Sequence, residues 1–343
     1  MRRGANIAAP VGFVLFMLST AVRPAEYVKT FYHGINLPGA TFGSQHIPGV
    51  DKKDYSWPTA ADVKLYADMG ANIVRVAFLW ERMQPQLFMS LENYEVTRLD
   101  AVVAAAAKLH VTILLDVHNY GLYKKQPIGS EAVPVTAFTD LWGRLAAHYK
   151  GEPFVAFGLM NEPYQHKADE WAQIVQQAIN EIRHEGANQL ILVSGTHWSG
   201  AHSWMAKDGT LSNAEALADL TDPENNFAFE AHQYFDVDSS GTHPECVSDD
   251  IGEQRLSAMT AWLRQNDKRG FLGEFGASKD PVCVEALRRG LKYLVDNKDV
   301  WYGWTYWAAA AWFGNYMFNI YPPDPKRFPQ VEILTDAMRG FEN

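Results

Sequence analysis

Eight short apolar runs, each followed by a helix-period segment, constrain this chain more than any other feature. The runs are Phe31–Leu37, Asn72–Phe78, Val111–His118, Phe154–Asn161, Leu190–Ser194, Phe227–Tyr234, Gly270–Glu274 and Tyr302–Trp307. Helical periodicity fills the gaps over Ala60–Met69, Leu99–Leu109, Thr136–Tyr149, Asp169–His184, Asn213–Leu220, Glu253–Gln265 and Val284–Val295, and Val331–Phe341 is a candidate closing helix. Strands that alternate with helices build a parallel sheet covered by helices. Eight repeats fit an α/β fold of one kind, a single (β/α)8 TIM barrel. A doubly wound sheet is the competitor, and it usually carries a Gly-x-Gly-x-x-Gly phosphate loop after its first strand. Here the first run leads through Gly34-Ile35-Asn36-Leu37-Pro38-Gly39, which lacks that spacing. No linker or internal repeat divides the chain, so one barrel domain is expected over 22–343.

The chain start reads differently. Arg2 and Arg3 precede an apolar stretch from Ile7 to Leu18, and small residues stand at Ser19 and Ala21. This is the pattern of a secretory signal peptide, expected over 1–21; the apolar stretch is short for a membrane-spanning helix. The mature protein is therefore expected to be secreted or periplasmic, monomeric and free of the membrane. Of 343 residues, 47% are hydrophobic, enough for a sizeable core. Formal charge is −10, from 30 Lys and Arg against 40 Asp and Glu, and no run of four cations occurs. A nucleic-acid partner is excluded on that ground, because phosphate contacts need clustered cations. Cys246 and Cys283 are the two cysteines. In an exported chain they are expected to form a disulfide, worth about 2–4 kcal/mol.

In such a barrel, chemistry gathers at the C-terminal ends of the strands. Arg75 lies on the second strand. The third run ends Asp116-Val117-His118-Asn119, the fourth Asn161-Glu162-Pro163, the sixth His232-Gln233-Tyr234, the seventh Glu274-Phe275-Gly276 and the eighth Tyr306-Trp307. Any one polar strand end can be structural; six at one rim, two of them bearing Glu, point to a site. Two carboxylates suit glycoside chemistry: one must be protonated to give a proton to the leaving oxygen, the other ionised to attack or activate water. Arg and Tyr near one Glu keep it ionised, and His near the other can help cycle its proton. No HExxH, phosphate loop or GxSxG elbow is present, so no metal and no cofactor is expected. Asp236-Val237-Asp238 opens like a calcium loop, but its twelfth position is Val247, and a polar turn is the better reading.

The ordered set resembles glycoside hydrolase family 5, the large cellulase family. Gly158-Leu159-Met160-Asn161-Glu162-Pro163 looks like its fourth-strand signature. Val74–Arg82, Leu115–Tyr120, Ala231–Tyr234 and Phe271–Gly276 match its other strands, so the resemblance covers nearly the whole mature chain. It implies a retaining, endo-acting β-1,4-glucanase. By the same resemblance Glu162 is the acid/base and Glu274 the nucleophile. Asn161 binds the sugar 2-hydroxyl, Arg75 and Tyr234 hold Glu274, His232 contacts Glu162, and His118 and Trp307 line the subsite before the scissile bond. Trp198 and Trp312 follow strands five and eight and are candidate sugar platforms; Trp80 is either platform or core. A β-mannanase or a mixed-linkage or xyloglucan hydrolase with the same two Glu stays open, as do a noncatalytic glycan-binding barrel and a metal-dependent barrel hydrolase.

Overall fold

The computed structural model describes Met1, residues 30–209 and residues 211–341; the expected signal peptide lies outside them apart from Met1. Within Phe31–Asn343, one compact unit, eight parallel strands close into a barrel: β1 (Tyr32–Ala40), β2 (Ile73–Phe78), β3 (Thr112–Val117), β4 (Val155–Gly158), β5 (Ile191–Ser194), β6 (Phe227–His232), β7 (Gly270–Glu274) and β8 (Trp301–Tyr306). Each strand pairs with its sequence neighbours, and β1 meets β8 through Tyr32–Gly303 to Ile35–Tyr306. The expected (β/α)8 barrel is the fold observed. Helices follow the strands in order: α1 (Ala60–Met69), α2 (Asn93–Ala107), α3 (Val135–Tyr149), α4 (Ala168–His184), α5 (Asn213–Ala216), α6 (Ile251–Gln265), α7 (Pro281–Asp296) and α8 (Pro329–Met338). Among the described residues no helix is long and apolar enough to cross a membrane.

Local chemistry sets the helix ends. Thr59 caps α1 through a reciprocal pair with Asp62, and Gly70, at φ 114°, closes it in the left-handed region that glycine tolerates. Pro281 and Pro329 open α7 and α8, where a missing N–H costs nothing. In α4, Trp171, Ile174, Val175, Ala178, Ile179 and Ile182 are buried at helical spacing. The helix after β5 is shorter than its expected Asn213–Leu220 span: Ser212 and Glu215 form a capping box, and the helix stops after one turn.

Strand alternation divides the core in two. Val74, Ile113, Phe157, Ile191 and Phe229 pack in the large cluster. Ile73, Leu114, Ala156, Leu192, Ala228 and Phe271 form a separate small one drawn from six strands. Two residues beyond Ile73, Leu114 and Ala228 stand Arg75, Asp116 and Glu230, all buried. An apolar plug therefore lies beneath a charged layer on the same strand faces.

Several strands end earlier than the apolar runs suggest. β4 stops at Gly158, and the chain then reaches Glu162, which has φ 41°. A non-glycine residue with that backbone cannot continue a ladder. β6 stops at His232 after a register shift against β7 between Ala231 and His232. The catalytic candidates Asn161, Glu162 and Tyr234 thus stand on the loops just past the rim.

Candidate active site

Arg75 is the centre of the charged layer. Its Nη1 lies 2.9 Å from Glu274 Oε1 and 3.1 Å from Asp116 Oδ2, and its Nε lies 2.9 Å from Glu230 Oε1. The same guanidinium donates to Asn36 Oδ1 and Asn161 Oδ1, each at 2.9 Å. Arg75 is fully buried, so its charge is sustained by three carboxylates rather than by water. Asn36 in turn donates through Nδ2 to Gly273 O at 2.9 Å and Thr305 O at 3.1 Å, tying β1 to β7 and β8.

Glu274 closes β7 and is 4% exposed. Tyr234 OH donates to its Oε2 at 2.9 Å. Burial alone would raise its pKa; the charges of His232, Arg75 and His118 outweigh burial and hold it below the ordinary carboxylate value. Glu162 has the opposite balance. Burial raises its pKa, and the nearby Glu274 charge adds to this, against the hydrogen bond and charge of His232. His232 Nδ1 lies 2.6 Å from Glu162 Oε1 and 3.7 Å from Glu274 Oε2. Burial lowers the His232 pKa, but its carboxylate neighbours push it up to about 10.

Side-chain oxygens of Glu162 and Glu274 and a ring nitrogen of His232 lie within 4.8 Å of one another. Such a set could hold a cation, but these atoms are already partners of one another, of Tyr234 and of Arg75, whose fixed positive charge opposes a metal. Asp236, Asp238 and His243 form a second close group in the loop after β6. There the Asp236 carboxylate accepts from the N–H groups of Gly241, Thr242 and His243, which makes it the hub of a polar turn.

A cleft of about 550 Å³ opens over the two carboxylates, lined in part by His118, Tyr120, Tyr234, Trp307 and Tyr316. His118 stacks on Trp307 with ring centroids 5.6 Å apart and planes 9° apart, while its Nδ1 lies 2.7 Å from Asp116 Oδ2. Asn161 Nδ2 is buried without a partner. The expected platforms divide cleanly. Trp80 is wholly buried and belongs to the core. Trp198 is 54% exposed and stacks on Tyr164 at 5.3 Å and 5°; Trp312 is 45% exposed and stacks on Phe42 at 6.2 Å and 18°. Neither borders the 550 Å³ cleft itself. Cys246 and Cys283 are joined, linking the loop after β6 to α7.

Sequence reading did not single out Glu230, Asn36 or Tyr120 for the site. Glu230 carried a signal: it stands two residues before His232 in a strand and so faces the same way.

Residues 35–310 match the family model for cellulase, glycosyl hydrolase family 5. The chain belongs to glycosyl hydrolase family 5. It is 38% identical over 294 residues to endo-β-1,4-glucanase B of Aspergillus niger, covering 85% of this chain and 86% of that protein. Endoglucanase gh5-1 of Neurospora crassa is 39% identical over 297 residues, covering 86% and 74%. Among solved structures, the endo-β-1,4-glucanase Xac0029 of Xanthomonas axonopodis pv. citri superposes with a TM-score of 0.88 at 45% identity, covering 91% of this chain and 99% of that one. XacCel5A, solved in complex with cellopentaose, gives a TM-score of 0.87 at 46% identity, covering 90% and 99%.

Proposed function

We propose that this family 5 chain is an endo-acting β-1,4-glucanase that retains anomeric configuration through Glu162 and Glu274. The observation that carries the reading is one cleft holding two carboxylates with an oxygen of each within 4.8 Å, the Glu162 pKa pushed up by burial and that of Glu274 held down, against burial, by the charges of His232 and Arg75. That spacing favours double displacement, for which about 5–5.5 Å between carboxyl groups is usual, over inversion, which needs about 6.5–9.5 Å to admit water. Glu274, ionised, attacks the anomeric carbon as the glycosidic C–O bond breaks. Glu162, protonated, gives its proton to the departing oxygen. Water then enters, loses a proton to the Glu162 carboxylate, and releases the sugar from Glu274.

The remaining residues serve this sequence. Arg75 and Tyr234 hold Glu274 in line, and His232 holds Glu162. The unpartnered Asn161 Nδ2 is suited to the sugar 2-hydroxyl. His118 and Trp307 form one wall of the subsite before the scissile bond, and Trp198 and Trp312 offer flat faces for further sugars. The substrate class follows from the relatives' names and from the cellopentaose complex. Residues 1–21 act as a signal peptide for secretion or periplasmic delivery, and 22–343 form a monomeric catalytic domain with no nucleic-acid or membrane partner.

Reducing-sugar release from carboxymethylcellulose, with β-mannan in parallel, tests the reading. Glu274→Gln and Glu162→Gln are each expected to lower release from carboxymethylcellulose by about a thousandfold or more. Release from mannan alone would overturn the substrate, and full activity in either variant would overturn the mechanism.

A further inference from the structure

Glu230 is a third buried carboxylate beneath the catalytic pair, and no step of the double displacement uses it. It is 1% exposed, and its strand also carries His232. Its Oε1 lies 2.9 Å from Arg75 Nε and 3.4 Å from His232 Nε2. The opposite ring nitrogen, His232 Nδ1, lies 2.6 Å from Glu162. The imidazole is therefore held between two carboxylates, one at each nitrogen. Space for Glu230 is kept by Gly273 on β7: a Cβ there would lie 2.1 Å from Glu230 Oε1.

We propose that Glu230 is a positioning residue that keeps His232 a doubly protonated imidazolium, so that His232 is a fixed hydrogen-bond donor to Glu162 and not a proton relay. A neutral imidazole carries one N–H, and its other nitrogen is an acceptor with nothing to offer a carboxylate. Once Glu162 has given up its proton, only the imidazolium donates to Glu162 and Glu230 together; before that, the charges of Glu230 and Glu274 favour it over a neutral ring that accepts the Glu162 O–H. Other charges agree in sign: Glu274 lies 3.7 Å from Nδ1, and Asp116 on β3 also acts on this ring, while Arg75 opposes it from β2. The direction of the His232 pKa, upward, is the one this geometry requires.

The consequence lies in the first proton transfer. When Glu162 releases its proton to the leaving oxygen, a carboxylate appears beside a donor that already points at it. No rearrangement is needed, which is what makes a preorganised donor effective. On the return step the Glu162 carboxylate takes its proton from water, and His232 keeps both of its own.

The inference rests on the proposed roles of Glu162 and Glu274, but its first measurement does not. In the full-length wild-type protein with 15N-labelled histidine, the His232 ring, assigned by its absence in His232→Asn, is expected to show two protonated nitrogens through pH 8. A neutral His232 at pH 7 would overturn the proposal, whether or not the enzyme cleaves carboxymethylcellulose. The second measurement is Glu230→Gln. Removing one negative charge makes every neighbouring proton easier to lose. His232 is then expected to titrate at least about one pH unit lower than in wild type. The alkaline limb of kcat/KM on an aryl β-cellobioside should move the same way, and kcat should fall about tenfold or more with KM little changed. Glu230→Asp, which keeps the charge, should leave the alkaline limb near that of wild type. Activity lost equally in both variants, with the His232 titration and the alkaline limb unmoved, would reduce Glu230 to a structural role.

Discussion

Glu274 is held by two donors of different kinds, the Arg75 guanidinium and the Tyr234 hydroxyl, each at 2.9 Å. Arg75 also serves Asp116, Glu230, Asn36 and Asn161, so removing it disturbs the whole layer. Tyr234 is the cleaner probe. Its ring stacks on Phe318 at 5.7 Å and 11°, and Tyr234→Phe keeps that contact while deleting one hydrogen bond to a carboxylate. A hydrogen bond to a charged group is worth about 1.5–3 kcal/mol, so kcat/KM should fall roughly 10–100-fold. The sign on pH is also set. The hydroxyl stabilises ionised Glu274, so its loss raises the Glu274 pKa and moves the acid limb of the kcat/KM profile upward, by about one pH unit. An acid limb that stays in place while activity drops would mean that the hydroxyl orients Glu274 without tuning it. At this scale the site was legible where a polar residue ends an apolar run, as with Glu162, Glu274, His232 and Tyr234. It was hidden at two polar residues inside their runs, although Arg75, also inside one, was readable through the family resemblance. Asn36 and Glu230 read locally as interruptions of a strand, and only barrel closure brings them within 2.9 Å of Arg75.

The turn after β5 shows what an element can store. His197, Trp198 and Ser199 have φ values of 56°, 53° and 55°, three successive non-glycine residues in the left-handed region. Each such residue costs about 1–2 kcal/mol relative to the right-handed form, so the turn persists only because its surroundings impose it. Those surroundings belong to β6: Ser199 Oγ donates to Glu230 O at 2.5 Å, and Ala201 N donates to His232 O at 3.0 Å. The result is an exposed Trp198 parallel to Tyr164. Trp198→Gly removes both the strain and the stacking contact, which is worth about 0.5–1.5 kcal/mol. The two nearly offset, so the urea midpoint should barely move. If the ring is a sugar platform, KM for a long soluble glucan should rise several-fold at nearly constant kcat. A large loss of stability with unchanged KM would make Trp198 a packing residue. The strand and helix order was readable because apolar period is local. This turn was not, since in Thr196-His197-Trp198-Ser199 only His197 is of a type enriched in a left-handed backbone. The short α5 was blurred for the opposite reason: apolar spacing continues to Leu220 while the helix itself ends at Ala216.

At the scale of the molecule, the buried charged layer imposes its own dependence of stability on pH, and its two halves have opposite signs. Glu274 and Asp116 have lowered pKa values. Burial opposes the lowering in both; His232 and Arg75 drive it for Glu274, and Arg75 and His118 for Asp116. The stability they contribute is present above the unfolded carboxylate range, near pH 4, and is lost as pH falls through their lowered folded values. His232 and Glu162 have raised values. For His232 the contribution is full below its unfolded value of about 6.5 and is lost as pH climbs toward about 10. Glu162 adds to the same alkaline loss, beginning above the unfolded carboxylate range. Stability, read as the urea midpoint, should therefore peak between about pH 4 and 6.5 and decline steadily from 6.5 to 9, before most lysines titrate. The formal charge of −10 pushes in the same direction, because self-repulsion grows with pH in an acidic protein. His232→Asn separates the two causes: it removes the buried titration and leaves the surface charge in place. The variant should be less stable than wild type at pH 6, and its midpoint should fall less between pH 6.5 and 9. Parallel slopes in the two proteins would assign the alkaline decline to surface charge and leave His232 without a part in it.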